Sequence, residues 1–144
     1  MSTEAAVAFA LPTPDERKLA MLAHVLQLFG GFIAPLIIFL VKRDSRFVKF
    51  HALQALIWQC TVFVVGMCLG IAVFILAFTL PAQTQPSNGP PEGFLLLFGS
   101  IWFFVAGSWL MNLIFAIYFG IKANEGAWSQ YPLIGRLAAA WSGI

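Results

Sequence analysis

Charged side chains are scarce in this sequence: Lys, Arg, Asp and Glu make up 10% of its residues, whereas an average soluble domain has about 25%. Three stretches contain none at all, at residues 19–41, 52–80 and 94–121. A helix rises about 1.5 Å per residue and the hydrocarbon core of a bilayer is about 30 Å thick, so each stretch is long enough to cross a membrane. The sequence therefore predicts an all-α, polytopic membrane helical bundle.

Cysteine and histidine are also rare, with two residues of each. Cys60 and Cys68 would lie about 12 Å apart along a helix, beyond the reach of a disulfide. His24 and His51 would lie at opposite ends of the bilayer if the first stretch crossed it straight, whereas a break in that stretch would bring them closer. Two histidines without a carboxylate or thiolate cluster are a poor metal signal, so we expect no metal site.

Catalytic signatures are missing as well. The sequence has no nucleophile beside an evident base, no glycine-rich phosphate loop and no paired carboxylates in the apolar stretches. Enzymes, ATPases and carboxylate-based proton pumps depend on such groups. We therefore predict a non-enzymatic protein with no catalytic residues and no cofactor.

The few cations are unevenly placed, which predicts the topology. Residues 42–51 contain four cations against one acid, whereas the loop at 81–93 has no Lys or Arg. Short loops rich in Lys and Arg remain cytoplasmic. We expect a multi-pass protein of the cytoplasmic (inner) membrane, with the 42–51 loop and the C-terminus cytoplasmic. Three full crossings would put the N-terminus outside.

The first apolar stretch is not uniform. Gly30 and Gly31 interrupt it and Pro35 follows, and glycines weaken a helix whereas proline suits a first turn. We expect a break there, and three interpretations stay open: a bent crossing, a front half in the interface, or a front half that re-enters. A split would give four helices rather than three. Thr13-Pro14 resembles a helix start, so we expect residues 1–14 to form a flexible tail before a single helical membrane domain, 15–144.

A few polar side chains lie inside the apolar stretches. Such groups are costly at membrane depth and usually face a protein interior. Two interpretations stay open: they satisfy one another between helices, which we favour for His24, or they line a polar pathway. The candidate interior polar residues are His24, Gln54, Gln59, Ser108 and Asn112.

Small residues four apart predict close helix packing in the second and third stretches. Gly66 and Gly70 form one such pair, and Ala116 and Gly120 form another. In lipid, these pairs let two helices approach closely. Packing within one chain is the interpretation we favour, and a homo-oligomer is the alternative.

The basic loop predicts contact with the lipid bilayer. Anionic phospholipid headgroups attract clustered cations, and Phe47 and Phe50 could anchor in the interface. For His51 we favour a structural role or headgroup contact over a functional role in the interior. Nucleic acid is a poorer partner for cations held beside a membrane. The candidate headgroup-binding residues are Lys42, Arg43, Arg46, Lys49 and His51.

The tail after Ile121 predicts a turn at Glu125-Gly126 and a short interfacial helix. Leu133, Leu137 and Trp141 recur at helical spacing. The aromatic rings of the tail suit the headgroup zone, where amphipathic rings prefer to lie. These rings belong to Trp128, Tyr131 and Trp141.

Several motifs resemble a widespread family of small bacterial integral membrane proteins of unknown function. They include Met21-Leu22-Ala23-His24, Lys42-Arg43-Asp44, Phe50-His51-Ala52 and the closing Lys122-Ala123-Asn124-Glu125-Gly126. That family is distantly similar to the channel-forming subunit of the chloroplast inner-envelope protein import translocon. The resemblance implies a helical membrane bundle and keeps protein translocation open as a role.

These patterns together predict a structural or adaptor protein, or a translocation-associated component of a membrane assembly. Its expected partners are copies of itself or other membrane proteins. The alternative is a small channel or carrier with a polar pathway between helices. Because three helices enclose little space, conduction would require an oligomer.

Overall fold

The computed structural model describes residues 11–79 and 92–142. Within these ranges the chain forms helices and turns and no strand, which confirms the predicted all-α class. The helices are α1 (Pro14–Gly30), α2 (Ile33–Val41), α3 (Arg46–Thr79), α4 (Glu92–Asn124) and α5 (Gly135–Ser142). Most of the predicted loop at 81–93 lies outside the described residues.

The start of α1 has the cap expected at Thr13-Pro14. The Thr13 hydroxyl oxygen accepts a hydrogen bond from the Glu16 backbone N–H at 3.3 Å, and the Thr13 N–H donates to the Glu16 carboxylate at 2.7 Å. Pro14 takes the first helical position, where no N–H partner is needed. This reciprocal capping box fixes where α1 begins.

A break divides the first apolar stretch at its two glycines. α1 ends at Gly30, and Gly31 has φ 52° and ψ −130°, a conformation that glycine adopts without strain. α2 begins at Ile33 with Pro35 in its first turn, and the two helices contact each other. The predicted break is confirmed. The stretch is divided between a helix of 17 residues, which begins before it at Pro14, and a helix of 9 residues.

Two helices are long and apolar enough to cross a membrane. They are Arg46–Leu76 within α3, with 31 residues, and Gly93–Asn124 within α4, with 32 residues. The most apolar window of each is not buried in protein, unlike the core helix of a soluble domain. α1 and α2 are not among these candidates, so the predicted three apolar stretches contain two candidate spans.

A tight turn follows α4. The N–H of Gly126 donates to the carbonyl of Ala123, and the N–H of Ala127 donates to the carbonyl of Lys122. These two bonds form a Schellman motif, and Gly126 has the positive φ that the motif requires, 84°. The turn predicted at Glu125-Gly126 is confirmed. It directs the tail back toward α1.

The chain divides into two compact units. The first comprises the chain up to Gln59 together with the chain from Asn112 onward, and the second is Cys60–Met111. Every buried residue in the described ranges lies in the first unit. Its apolar core has three small clusters: Ala20, Phe47 and Ala123; Phe50, Leu53 and Ala138; and Phe115, Phe119 and Tyr131.

Candidate functional site

Five polar side chains meet in the interior of the first unit, and we call them the buried polar network. α1 contributes His24 and Gln27, α3 contributes His51 and Gln54, and the tail contributes Tyr131. None of the five is more than 2% exposed. Each helix supplies its two residues at a spacing of three, which places both on one helical face.

Hydrogen bonds run through the network in one direction. The Ala127 carbonyl can only accept, so His51 Nε2 donates to it, at 3.2 Å, and Nδ1 of the neutral ring is an acceptor. His24 Nε2 therefore donates to His51 Nδ1 at 3.0 Å. His24 Nδ1 then accepts from the Tyr131 hydroxyl at 2.8 Å, and the Tyr131 oxygen accepts from Gln27 Nε2 at 3.2 Å.

Gln54 attaches the backbone of the tail to α3. Its Nε2 donates to the Ser129 carbonyl at 3.0 Å, and its Oε1 accepts from the Tyr131 N–H at 2.6 Å. Both ends of the amide are therefore paired, which offsets the cost of burying it. The tail is thus held at its backbone by Gln54 and at its Tyr131 hydroxyl by α1.

Aromatic rings surround the Tyr131 side chain. The Phe119 and Phe115 centroids lie 4.2 Å and 4.6 Å from the Tyr131 centroid, and the His24 ring stacks on it at 5.3 Å. Burial raises the pKa of the Tyr131 hydroxyl above its usual value, because a phenolate would be poorly solvated there. The hydroxyl therefore stays protonated and donates.

A smaller polar cluster lies further along α3. Trp58 Nε1 and Gln59 Nε2 both donate to Asn112 Oδ1, at 2.8 Å and 2.9 Å. Gln59 Nε2 also lies 3.4 Å from the Gln27 carbonyl oxygen, to which it donates. These contacts connect α1, α3 and α4 within the first unit.

Ser108, the remaining candidate interior residue, lies in the second unit. Its hydroxyl donates to the Val105 carbonyl of the same helix at 3.0 Å. The structure therefore brings His24 and Gln54 into the network and Gln59 and Asn112 into the smaller cluster. Ser108 joins neither.

Sequence reasoning missed the role of Tyr131. We expected its ring in the headgroup zone, but it is 2% exposed and forms part of the core. The sequence around Tyr131 gave no signal of its burial, because an amphipathic ring suits both the headgroup zone and a protein core. Gln27 did carry a signal, because it follows His24 by three residues on the same helical face.

The basic loop also differs from expectation. Phe47 and Phe50 are buried in the apolar core rather than free to anchor in the interface. The His51 ring is fully buried and engaged at both nitrogens, which removes it from contact with headgroups. The first turns of α3 thus face protein. Among the four cations, Arg43 and Arg46 are exposed and Lys42 and Lys49 are half-buried.

The small residues fall into different surroundings. A Cβ added to Gly66 would lie 3.3 Å from the Phe104 ring, whereas one added to Gly70 would have no neighbour within 4 Å. A Cβ added to Gly120 would lie 3.6 Å from Val25 of α1. Ala116 is buried. Gly120 therefore marks a close approach of α4 to α1.

α5 is amphipathic. It buries Ala138 against the Phe50 cluster and exposes Leu137 and Trp141, while Leu133 before it is 97% exposed at φ 67°. An apolar face that protein leaves open, with tryptophan on it, suits the membrane interface. The interfacial placement of α5 stays a prediction.

The chemical capacity of the site is limited. The two side-chain atoms in the described residues that are buried without a partner are Gln27 Oε1 and Ser129 Oγ. The described ranges contain no group of three or more His, Cys, Asp or Glu side chains placed to hold a metal ion. The polar groups of the network are neutral and hydrogen-bond to one another, so they join α1, α3 and the C-terminal tail.

Two long apolar helices whose most apolar windows are not buried in protein define a helical membrane protein. Residues 15–138 match the sequence model of the MamF/MmsF family, the magnetosome magnetite crystal formation protein family. The chain belongs to that family. It is not a known enzyme family, and the match confirms the expected membership of a bacterial family of membrane proteins.

No curated protein and no solved structure gave a significant match to the chain. The expected similarity to the chloroplast import channel therefore has no support, and neither does a translocation-like role or an oligomer. The family match and the apolar helices support a membrane protein.

Proposed function

We propose that this protein is a non-enzymatic structural component of a membrane in which magnetite crystals form. The observation that carries the proposal is the family match over residues 15–138. That range includes both candidate spans and the whole buried polar network. The protein's role is then to present a fixed surface at the membrane rather than to transform a substrate.

The buried polar network supports a structural role. Tyr131 and His24 are 107 residues apart in sequence, and His24 and His51 are 27 apart, so their bonds join α1, α3 and the tail. Leaving one buried partner unpaired costs about 1–3 kcal/mol. The network therefore favours a single arrangement of the three segments.

A small channel or carrier is the alternative, because Gln59 and Asn112 are only part-buried. A pathway needs polar groups that exchange partners with the solute. Asn112 Oδ1 instead accepts hydrogen bonds from both Gln59 Nε2 and Trp58 Nε1. Reconstituted liposomes loaded with a pH-sensitive dye test this: we expect no proton flux above protein-free liposomes, and flux that Gln59→Leu abolishes would establish the pathway.

The function is tested in a magnetite-forming bacterium from which its own family member has been deleted. We expect the wild-type gene to shift the distribution of crystal lengths, measured by electron microscopy, back toward the parent strain. The matched control is an empty vector, with the protein quantified in isolated magnetosome membranes. An unchanged distribution, at protein levels equal to those of the deleted member, would contradict the proposal.

The membrane placement is part of the same proposal. We place the 42–51 loop and the C-terminal tail in the cytoplasm, with the four loop cations against anionic headgroups.

An adaptor role requires a second membrane protein. Photocrosslinking from Trp141, which is 62% exposed, followed by mass spectrometry identifies such a partner.

A further inference from the structure

The start of α1 lies beside the start of α3, which follows the basic loop, and beside the end of α4. Ala20 packs with Phe47, in the first turn of α3, and with Ala123, at the end of α4. The Ser45 side chain, just before α3, is close enough to the Glu16 carboxylate to lower its pKa. The N-terminal end of α1 is therefore level with Arg46.

The far end of α1 lies deeper along α3. The Gln27 carbonyl accepts from Gln59, which is thirteen residues after Arg46, or about 20 Å along the helix. Gly30 ends α1 within one further turn. This depth is less than the hydrocarbon thickness of about 30 Å.

α2 then returns toward the level of the basic loop. Phe39 packs against the cluster of Phe50, Leu53 and Ala138, so the last turns of α2 lie beside the early turns of α3. A bent crossing would have placed the start of α1 on the far side of the membrane from Lys42. The contacts of Ala20 and Phe39 place both ends of the α1–α2 pair at the same level.

The outer surface of this pair is apolar. Phe29 and Phe32 are exposed at the turn, and Ile33, Ile37 and Leu40 are exposed along α2. No charged residue occurs between Lys18 and Lys42. Acyl chains are the occupant that suits such a surface, because cations flank it at both ends and would lie among the headgroups.

We propose that α1 and α2 form a re-entrant hairpin that dips into the bilayer from the side of the basic loop. Its Phe29–Phe32 tip contacts acyl chains and does not reach the opposite surface. The N-terminus, the basic loop and the C-terminal tail then share one side of the membrane. This arrangement has two crossings rather than three.

Single-cysteine labelling tests the sidedness. Cys60 and Cys68 are replaced by Ser, and cysteine is placed at Leu11 or Asp44, both exposed, or at Ser87 in the second loop. An impermeant maleimide is added to intact spheroplasts and to inverted vesicles, with detergent-solubilised protein as the labelling control. We expect Leu11 and Asp44 to label from the same side and Ser87 from the other. Labelling of Leu11 together with Ser87 would overturn the hairpin.

A spin label at Phe29 tests the occupant. In vesicles of phosphatidylcholine and phosphatidylglycerol, we expect its relaxation to respond to oxygen and not to an aqueous nickel chelate, whereas a label at Leu11 responds to the chelate. A chelate-accessible Phe29 label would show that the tip is outside the lipid. Dipolar broadening between Phe29 labels, lost on dilution with unlabelled protein, would show that a second copy covers the tip.

Discussion

At the residue scale, Tyr131 contributes both its side chain and its backbone to the buried polar network. Its hydroxyl donates to His24 and accepts from Gln27, while its backbone N–H donates to Gln54. Phenylalanine in its place keeps the ring contacts and removes only the hydroxyl. The effect of that change therefore measures the hydrogen bonds alone.

We expect Tyr131→Phe to lower the free energy of unfolding by about 1–3 kcal/mol, because His24 Nδ1 and Gln27 Nε2 lose their partner in the core. Tyr118→Phe is the matched control, since that ring is 54% exposed, and we expect a change within about 0.5 kcal/mol. Unfolding followed in mixed micelles measures both. Equal effects would show that the Tyr131 hydroxyl carries no net stabilisation.

Glu16 makes stability depend on pH. A hydrogen bond from Ser45, with that from the Thr13 N–H, lowers the pKa of its carboxyl below 4.5. A lowered folded-state pKa means that the ionised group stabilises the fold above pH 4.5 and that this contribution is lost as pH falls through the folded-state pKa. We expect Glu16→Gln to lower Tm at neutral pH and to match wild type in acid. A difference in Tm between Glu16→Gln and wild type that stays constant from neutral to acidic pH would show that Glu16 does not cause the pH dependence.

At the element scale, the two glycines of α3 provide a matched pair. Gly66 faces the Phe104 ring, whereas Gly70 faces open space. We expect Gly66→Leu to displace Phe104 and lower Tm in detergent, since overpacking costs about 1–3 kcal/mol, and Gly70→Leu to leave Tm unchanged. The reverse order would show that Gly70 meets a neighbour in the membrane, and a larger assembly lost in Gly70→Leu would identify that neighbour as a second copy.

The basic loop provides a test of lipid binding. Near an anionic surface each cation contributes about 1 kcal/mol. We expect the variant with Gln at Lys42, Arg43, Arg46 and Lys49 to retain less phosphatidylglycerol than wild type in native mass spectrometry, with phosphatidylcholine retention unchanged as the control. Equal phosphatidylglycerol retention by the two proteins would place the lipid contacts elsewhere.

At the scale of the whole molecule, the helices could be predicted from the sequence, whereas the contacts of the buried polar network could not. Gly30 and Gly31 predicted the break because glycine acts locally on the backbone. The position of Tyr131 depends on contacts with residues about a hundred positions away, and no local pattern encodes such a distance. For the same reason the sequence could not decide whether His24 and His51 lie at opposite ends of the bilayer or close together.

The two long helices show the same difference between what the local sequence predicts and what depends on packing. Their lengths follow from the absence of charge, which the bilayer imposes on any crossing segment. The burial of Phe47 and Phe50 does not follow, because an aromatic ring beside a basic loop suits lipid and protein equally. Only the packing of α1 and α5 against the start of α3 decides it.

The central structural claim is that α1, α3 and the tail are joined by one directional set of hydrogen bonds through two neutral histidines. Nitrogen-15 NMR of the histidine side chains, in protein reconstituted in lipid at neutral pH, tests it most directly. We predict that His24 and His51 both carry hydrogen on Nε2 and none on Nδ1, and that the His24 Nε2–H shows coupling across the bond to His51 Nδ1. Hydrogen on Nδ1 of either ring would contradict the network and the structural role built on it.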